Sequence, residues 1–280
     1  VTMNTVSIPS YPGGKRIAVT FSFDDGVECD RRIVEAFNKW GLKGTFNLNS
    51  GSLKRSGSQQ TDEYATLDAA FVADRYAGHE VAVHTVSHPH LPQLSPDAIV
   101  AEVWEDRCAL EDLVGYPVRG MAYPFGTYNA DVVNILRTLG IRYARTTENA
   151  EFPFPPAEPL AWPSTMHMYD ISHGDVPTRF ARLLDDPRGS NVFFVWGHAY
   201  EFGRRDDWAG IERLFKPLSG HKDVFYCTNI ELFDYDDARK RLVVAANRQT
   251  VFNPSATAVS VVADGRLIDV MPGETRDLRL

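Results

Sequence analysis

The chain has 280 residues and a mass of 31.4 kDa, of which 44% are hydrophobic and 24% charged. This composition supports a substantial core and excludes a disordered or fibrous chain. A net charge of −8 leaves no basic surplus for a phosphate backbone or anionic lipid, and no apolar run nears the roughly 18 residues that span a bilayer, so nucleic acid and membrane are not expected partners.

From Arg16 onward, short apolar or β-branched runs alternate with longer amphipathic ones, the pattern of a parallel sheet wrapped by helices. Strands are expected at Ile17–Phe23, Gly44–Leu48, Glu80–His84, Gly120–Tyr123, Arg142–Arg145, Asn191–Trp196 and Val224–Cys227. Helices are expected at Cys29–Trp40, at Leu67–Tyr76 behind a Thr66 cap, and at Pro96–Val114 behind Ser95. Others fall around Asp131–Leu139, Arg179–Leu184 and Trp208–Leu218. The rhythm breaks at Gly51–Asp62, rich in Ser, Gly and Gln, and at the proline-rich Phe152–Pro163, which reads as a stiff irregular loop. After about Asp236 the runs become short and β-branched, at Leu242–Ala246, Thr250–Asn253, Ala258–Val262 and Leu267–Met271, with Asp264-Gly265 as a hairpin turn. The expected fold is α/β: a (β/α) barrel of about seven parallel strands over residues 1–235, followed by a small all-β extension over residues 236–280.

The three cysteines, Cys29, Cys108 and Cys227, are odd in number and far apart, which argues against a disulfide framework or a cysteine zinc site. Val1 to Gly14 lacks the basic start and apolar centre of a secretory signal, so a cytoplasmic location is expected, although a trimmed secreted chain would read the same.

The chemistry lies at the ends of the expected strands, where a barrel of this class builds its active site. The first strand ends in Phe23-Asp24-Asp25-Gly26, which alone reads as readily as an acidic turn. The third ends in His84-Thr85-Val86-Ser87-His88-Pro89-His90, and His84 and His88 can converge on one ion if the chain turns. With a carboxylate from another strand end they make a two-histidine, one-carboxylate set, which leaves coordination positions open as catalytic metals require. His90 carries no assigned role. Ala122-Tyr123-Pro124-Phe125-Gly126 forms a tight turn after the fourth strand, and Val195-Trp196-Gly197-His198 brings a further histidine to a strand end.

The ordered series Thr-Phe-x-x-Asp-Asp-Gly, His-Thr-x-x-His, Tyr-Pro-Phe-Gly and Trp-x-His resembles the polysaccharide deacetylase, or NodB-homology, family of carbohydrate esterases (carbohydrate esterase family 4), over roughly residues 15 to 235. The resemblance implies a distorted barrel with fewer than eight complete units that removes acetyl groups from N- or O-acetylated sugars. It implies Asp24 as catalytic base, Asp25, His84 and His88 as metal ligands, His198 as general acid and the Phe125 N–H as an oxyanion donor. Water held on the metal would then attack the acetyl carbonyl. Zinc is the expected ion, with cobalt, nickel or iron as alternatives.

Three departures from the pattern matter. The arginine usual two residues before the proline is replaced by Ala122, and Arg145, on the next strand end, is the expected compensating cation. Trp196 stands where the family has a leucine lining the acetyl pocket, which implies a differently shaped pocket. The aspartate that would orient the acid histidine has no clean match, leaving Asp170 and Asp175 as candidates. His167, Glu201 and Tyr123 complete the candidate substrate set. The expected partner is an acetylated carbohydrate, with an amidohydrolase acting on a non-sugar amide and a non-catalytic sugar-binding barrel as competing readings. The β-rich extension is expected to shape the cleft or support a homo-oligomer.

Overall fold

The computed structural model describes residues 5–57, 62–151, 154–186 and 191–279. Residues 58–61 of the Ser/Gly/Gln-rich stretch and 152–153 of the proline-rich stretch lie outside the described residues, as do 187–190 and the ends at 1–4 and 280.

All seven expected strands are present in one parallel sheet. The strand Ile17–Asp24 sits at its centre, paired with Thr45–Leu48, Asn191–Gly197 and Val224–Tyr226. Every residue of Ile17–Asp24 is buried, as a parallel strand covered on both faces requires. Outward from Thr45–Leu48 the order continues through Glu80–Val83, Gly120–Ala122 and Tyr143–Asn149. Phe21, Phe23, Phe37 and Phe215 pack around the strand Ile17–Asp24, edge to face except for the tilted Phe21–Phe37 pair, and fix helix Asp30–Trp40 against it.

Two strands were not legible in the sequence. Trp162–Ser164 pairs with Tyr143–Asn149, and Met166–His167 pairs with Asn191–Gly197. Only Thr165 separates them, and its N–H donates to the Phe194 carbonyl at 2.8 Å. The two ends of the sheet therefore meet at consecutive residues, which rolls it into a distorted α/β barrel. Strands of three and two residues carry no readable periodicity, and Pro163 argues against a central strand. Leu67–Tyr76 is also corrected: it is a 3-10 turn, Ala69–Phe71, followed by a short helix, Val72–Arg75. Asp68 rather than Thr66 caps it, accepting from the Ala70 N–H.

The extension is antiparallel and draws on both ends of the chain. Val6–Ser7, Val259–Ala263 and Arg266–Val270 form one small sheet, and Val243–Val244, Thr250–Phe252 and Thr275–Asp277 another. Asp264 and Gly265 both have positive φ, 48° and 81°, as the hairpin turn demands. Residue 235, the boundary expected from the sequence, lies inside the helix Asn229–Lys240. Among the described residues no helix is long and apolar enough to cross a membrane.

Candidate active site

Asp24 is the last residue of the central strand and is 3% exposed. Asn47, its register partner on the next strand, donates from Nδ2 to Oδ1 at 2.8 Å. Arg145, fully buried, donates from Nη2 to Oδ2, and His198 Nε2 lies 3.9 Å from the same oxygen. Burial opposes ionisation of Asp24, but the Arg145 guanidinium, aided by His84 and His198, holds its carboxyl well below the usual carboxylate range.

One residue later the backbone turns over. Asp25 has φ 80°, and Thr85, His88 and Phe125 have φ of 70°, 59° and 57°; these are four of the seven non-glycine residues with positive φ among the described residues. Each such conformation costs on the order of 1–3 kcal/mol, so backbone strain is concentrated at these strand ends. It brings three side chains together: Asp25 Oδ1 lies 3.7 Å from both His84 Nε2 and His88 Nε2. Ligand atoms of Asp25, His84 and His88 all lie within 4.8 Å of one another. His84 Nδ1 is 2.8 Å from the Ala122 carbonyl oxygen, so Nδ1 carries the proton and Nε2 the lone pair. Burial, acting against the attraction of Asp24 and Asp25, lowers the proton affinity of His84 and favours the neutral imidazole that a metal needs.

This strand end is held by a residue that no motif revealed. Asp106, buried in the helix Pro96–Val114, accepts the His84 N–H at 3.0 Å and the Ser50 N–H at 2.7 Å. Burial pushes its carboxyl up to about 7. Asn49 adds a clamp from Nδ2 to the carbonyls of His84 and Thr85.

On the opposite side, Glu201 Oε1 accepts from His198 Nδ1 at 2.7 Å and from His167 Nε2 at 2.9 Å. Although burial opposes it, the hydrogen bonds from His167 and His198 bring the Glu201 carboxyl down to about 2. Burial likewise lowers the proton affinity of His198, but the Glu201 hydrogen bond and the charges of Asp24 and Asp25 outweigh it and raise the imidazole above its ordinary value. Glu201 therefore takes the orienting position for which Asp170 and Asp175 were candidates. Asp170 instead accepts the Ser172 N–H, and Asp175 caps the helix Val176–Asp185 through the Thr178 N–H. Tyr200, also absent from the motifs, stacks on His198 with centroids 4.9 Å apart and donates its hydroxyl to Asp25 Oδ2 at 3.1 Å.

The turn after Gly120–Ala122 presents Phe125, which is 55% exposed and packed on His90 and His88 with centroids 4.0 and 4.5 Å away. Its N–H has no acceptor among the described residues. A Cβ on Gly126 would meet Thr147 Oγ1 at 2.1 Å, so only glycine lets this turn lie against the neighbouring strand. Tyr123 is a correction: it is buried, its hydroxyl donates to the Leu160 carbonyl at 2.6 Å and its ring stacks on Tyr128. Trp196 covers the Arg145 guanidinium at 4.5 Å and meets the His167 ring at 4.7 Å.

Residues 12–144 match the family model of the polysaccharide deacetylases. The matched stretch belongs to the polysaccharide deacetylase family. It contains Asp24, Asp25, His84, His88 and Phe125, whereas Arg145, His167, Trp196, His198 and Glu201 follow it. Over 152 residues the chain is 22% identical to the peptidoglycan-N-acetylglucosamine deacetylase PgdA of Listeria monocytogenes, covering 53% of this chain and 30% of that relative. Among solved structures it is similar to a Mycobacterium smegmatis protein provisionally classed as a polysaccharide deacetylase. That match has 19% identity, covers 85% of this chain and 96% of the other, and has a TM-score of 0.57. It is also similar to the Xyl-CE4 domain of a multidomain xylanase from the hindgut metagenome of Trinervitermes trinervoides. There the identity is 15%, the coverage 80% and 92%, and the TM-score 0.52. At these identities the structural likeness is one of fold, the distorted barrel of the polysaccharide deacetylases.

Proposed function

We propose that this site hydrolyses acetyl groups from N- or O-acetylated sugars, with a divalent cation, zinc by preference, held by Asp25, His84 and His88. The donor set fits such an ion: His84 offers Nε2 because its Nδ1 is committed to a carbonyl, and Asp25 offers Oδ1 because Tyr200 occupies Oδ2. When bound, the cation would polarise the acyl carbonyl and lower the pKa of water toward about 7.

The chain's own residues divide the remaining work. Asp24, kept ionised and oriented by Arg145 and Asn47, accepts a proton from the attacking water. The Phe125 N–H donates to the acyl oxygen as negative charge builds on it. His198, held by Glu201 and raised in proton affinity, donates a proton to the departing amine or alkoxide. Acetate and a free amine or hydroxyl result.

The observation that carries this reading is the placement of one buried carboxylate, Asp24, between the candidate metal ligands Asp25, His84 and His88 and the Arg145 guanidinium. Its test is acetate release from N-acetylated chito-oligosaccharides, acetylated xylo-oligosaccharides and small N-acetyl sugars, by metal-stripped and zinc-restored protein. Zinc-dependent release from any of these supports the reading. No release from any of them or from an acidic N-acetylated saccharide, with zinc confirmed at the site, refutes it.

A further inference from the structure

Beside His198 lies a cavity of about 470 Å³ lined by His167, His198, Tyr200, Glu201, Arg204 and Arg205. The two arginines close the short helix Tyr200–Arg204 and its following residue. Arg204 lies 4.0 Å over the centroid of Tyr200, and Arg205 lies 4.2 Å over that of Tyr169. Both rings are themselves anchored: the Tyr200 hydroxyl donates to Asp25, and the Tyr169 hydroxyl to Asp207 Oδ2 at 3.2 Å. Tyr200 also stacks on His198, so Arg204 sits one aromatic ring away from the histidine that faces the leaving group.

A guanidinium stacked on an aromatic face keeps its in-plane N–H donors available, in the fork that suits a carboxylate or phosphate. Neither Arg204 nor Arg205 makes a side-chain hydrogen bond or ion pair with a described residue, in contrast to Arg119, Arg142 and Arg213, each of which meets an aspartate. Glu201, the one carboxylate among the described residues lining the cavity, is already committed to two imidazoles. Two uncompensated and preorganised cations thus stand at the site in a chain whose net charge of −8 repels anions at long range. The volume falls within the range of small-ligand sites.

We propose that this cavity binds an anionic substituent, carboxylate or phosphate, so that the substrate class is an acidic acetylated saccharide. The proposal rests on the reading of the site as one that acts on acetylated sugars. Arg204 and Arg205 determine specificity by pairing with the anion while the acyl group lies toward Asp24 and the sugar oxygen or nitrogen toward His198.

The test uses the full, zinc-loaded chain and three matched N-acetylated disaccharides differing at one position: neutral, uronic acid and phosphorylated. Affinity is read by titration calorimetry and turnover by acetate release. At least one acidic ligand is expected to bind about tenfold more tightly than the neutral one, with the advantage shrinking as salt is added. The preferred anion identifies carboxylate or phosphate as the source. In Arg204→Gln/Arg205→Gln the ratio of acidic to neutral affinity is expected to fall to about one, and in Arg204→Lys/Arg205→Lys to an intermediate value. If the glutamine variant does not fold, the ratio in the parent protein and its salt dependence decide. Equal affinity for all three ligands in the parent, or a preference that survives the glutamine variant, overturns the proposal. Preferential, arginine-dependent binding without acetate release supports the anion site and refutes the deacetylase reading.

Discussion

Ala122 and Arg145 are register partners on adjacent parallel strands, and from that place the Arg145 guanidinium reaches Asp24. An arginine missing from one strand end is thus met by one entering from the next, close enough to act on the same carboxylate. The Ala122 carbonyl at the same level accepts the Nδ1 proton of His84, so the strand pair orients both Asp24, the proposed base, and His84, a proposed metal ligand.

Arg145→Ala is expected to lower deacetylation at least about hundredfold, since the base loses the group that holds it ionised and aimed. It leaves Asp24 buried without its cation, so stability should fall by about 3–5 kcal/mol. Chemical denaturation and acetate-release kinetics, with metal content measured alongside, check both. Adding Ala122→Arg to this variant should recover part of the rate, because the new side chain starts from the register partner's position. Full activity in Arg145→Ala would remove the role given to it.

If the proposed roles hold, metal binding and proton transfer separate by mutation. Asp25→Ala and His84→Ala should lose bound zinc and activity together, while Asp24→Asn should keep zinc and lose activity. Elemental analysis beside turnover distinguishes the two, and an Asp24→Asn protein as active as the parent would refute Asp24 as the base.

Tyr200→Phe removes the hydroxyl on Asp25 but keeps the ring on His198. Zinc affinity should weaken by roughly 10- to 100-fold, as for other groups that orient a metal ligand, and added zinc should restore much of the rate. Competition with a chelator measures the change.

The Glu201 carboxylate stabilises the protonated form of His198, so Glu201→Gln should move the alkaline fall of kcat/KM to lower pH. The same raised affinity contributes to folding in a defined window. It is fully present below the unfolded histidine value of about 6.5 and is lost as pH rises through the higher folded value. A pH–rate profile and unfolding midpoints on either side of neutrality test both, and an unshifted alkaline limb would separate Glu201 from His198.

Asp106→Asn replaces an acceptor of two backbone N–H groups with one that can satisfy only one of them through oxygen. A loss of about 1–3 kcal/mol is expected, together with weaker zinc binding as the His84 strand end loosens. Unchanged stability and zinc affinity would show that the Asp106 clamp is dispensable.

Much of the barrel could be read from the chain because its strands are continuous apolar runs such as Ile17–Phe23, and its chemical groups sit where those runs stop. Arg145 could be anticipated for the same reason: its strand end faces the same bowl as Asp24. Glu201 was visible only as a carboxylate three residues after His198, with nothing to choose it over Asp170 or Asp175. Asp106, Asn47 and Tyr200 carried no signal, since the hydrogen bond each makes at the site reaches a residue 22 or more positions away in sequence.

The sequence by itself determined the parallel α/β architecture and the order of strand ends bearing Asp24, Asp25, His84, His88 and His198. Periodicity and residue type are local properties, and those residues lie at the ends of well-marked runs. Only the tertiary structure decided where the barrel closes, which carboxylate holds His198, and that Tyr123 is buried while Arg145 is turned onto Asp24. Those outcomes depend on sheet register and on the direction in which a side chain leaves the backbone. Both are set by pairing between segments far apart in the chain.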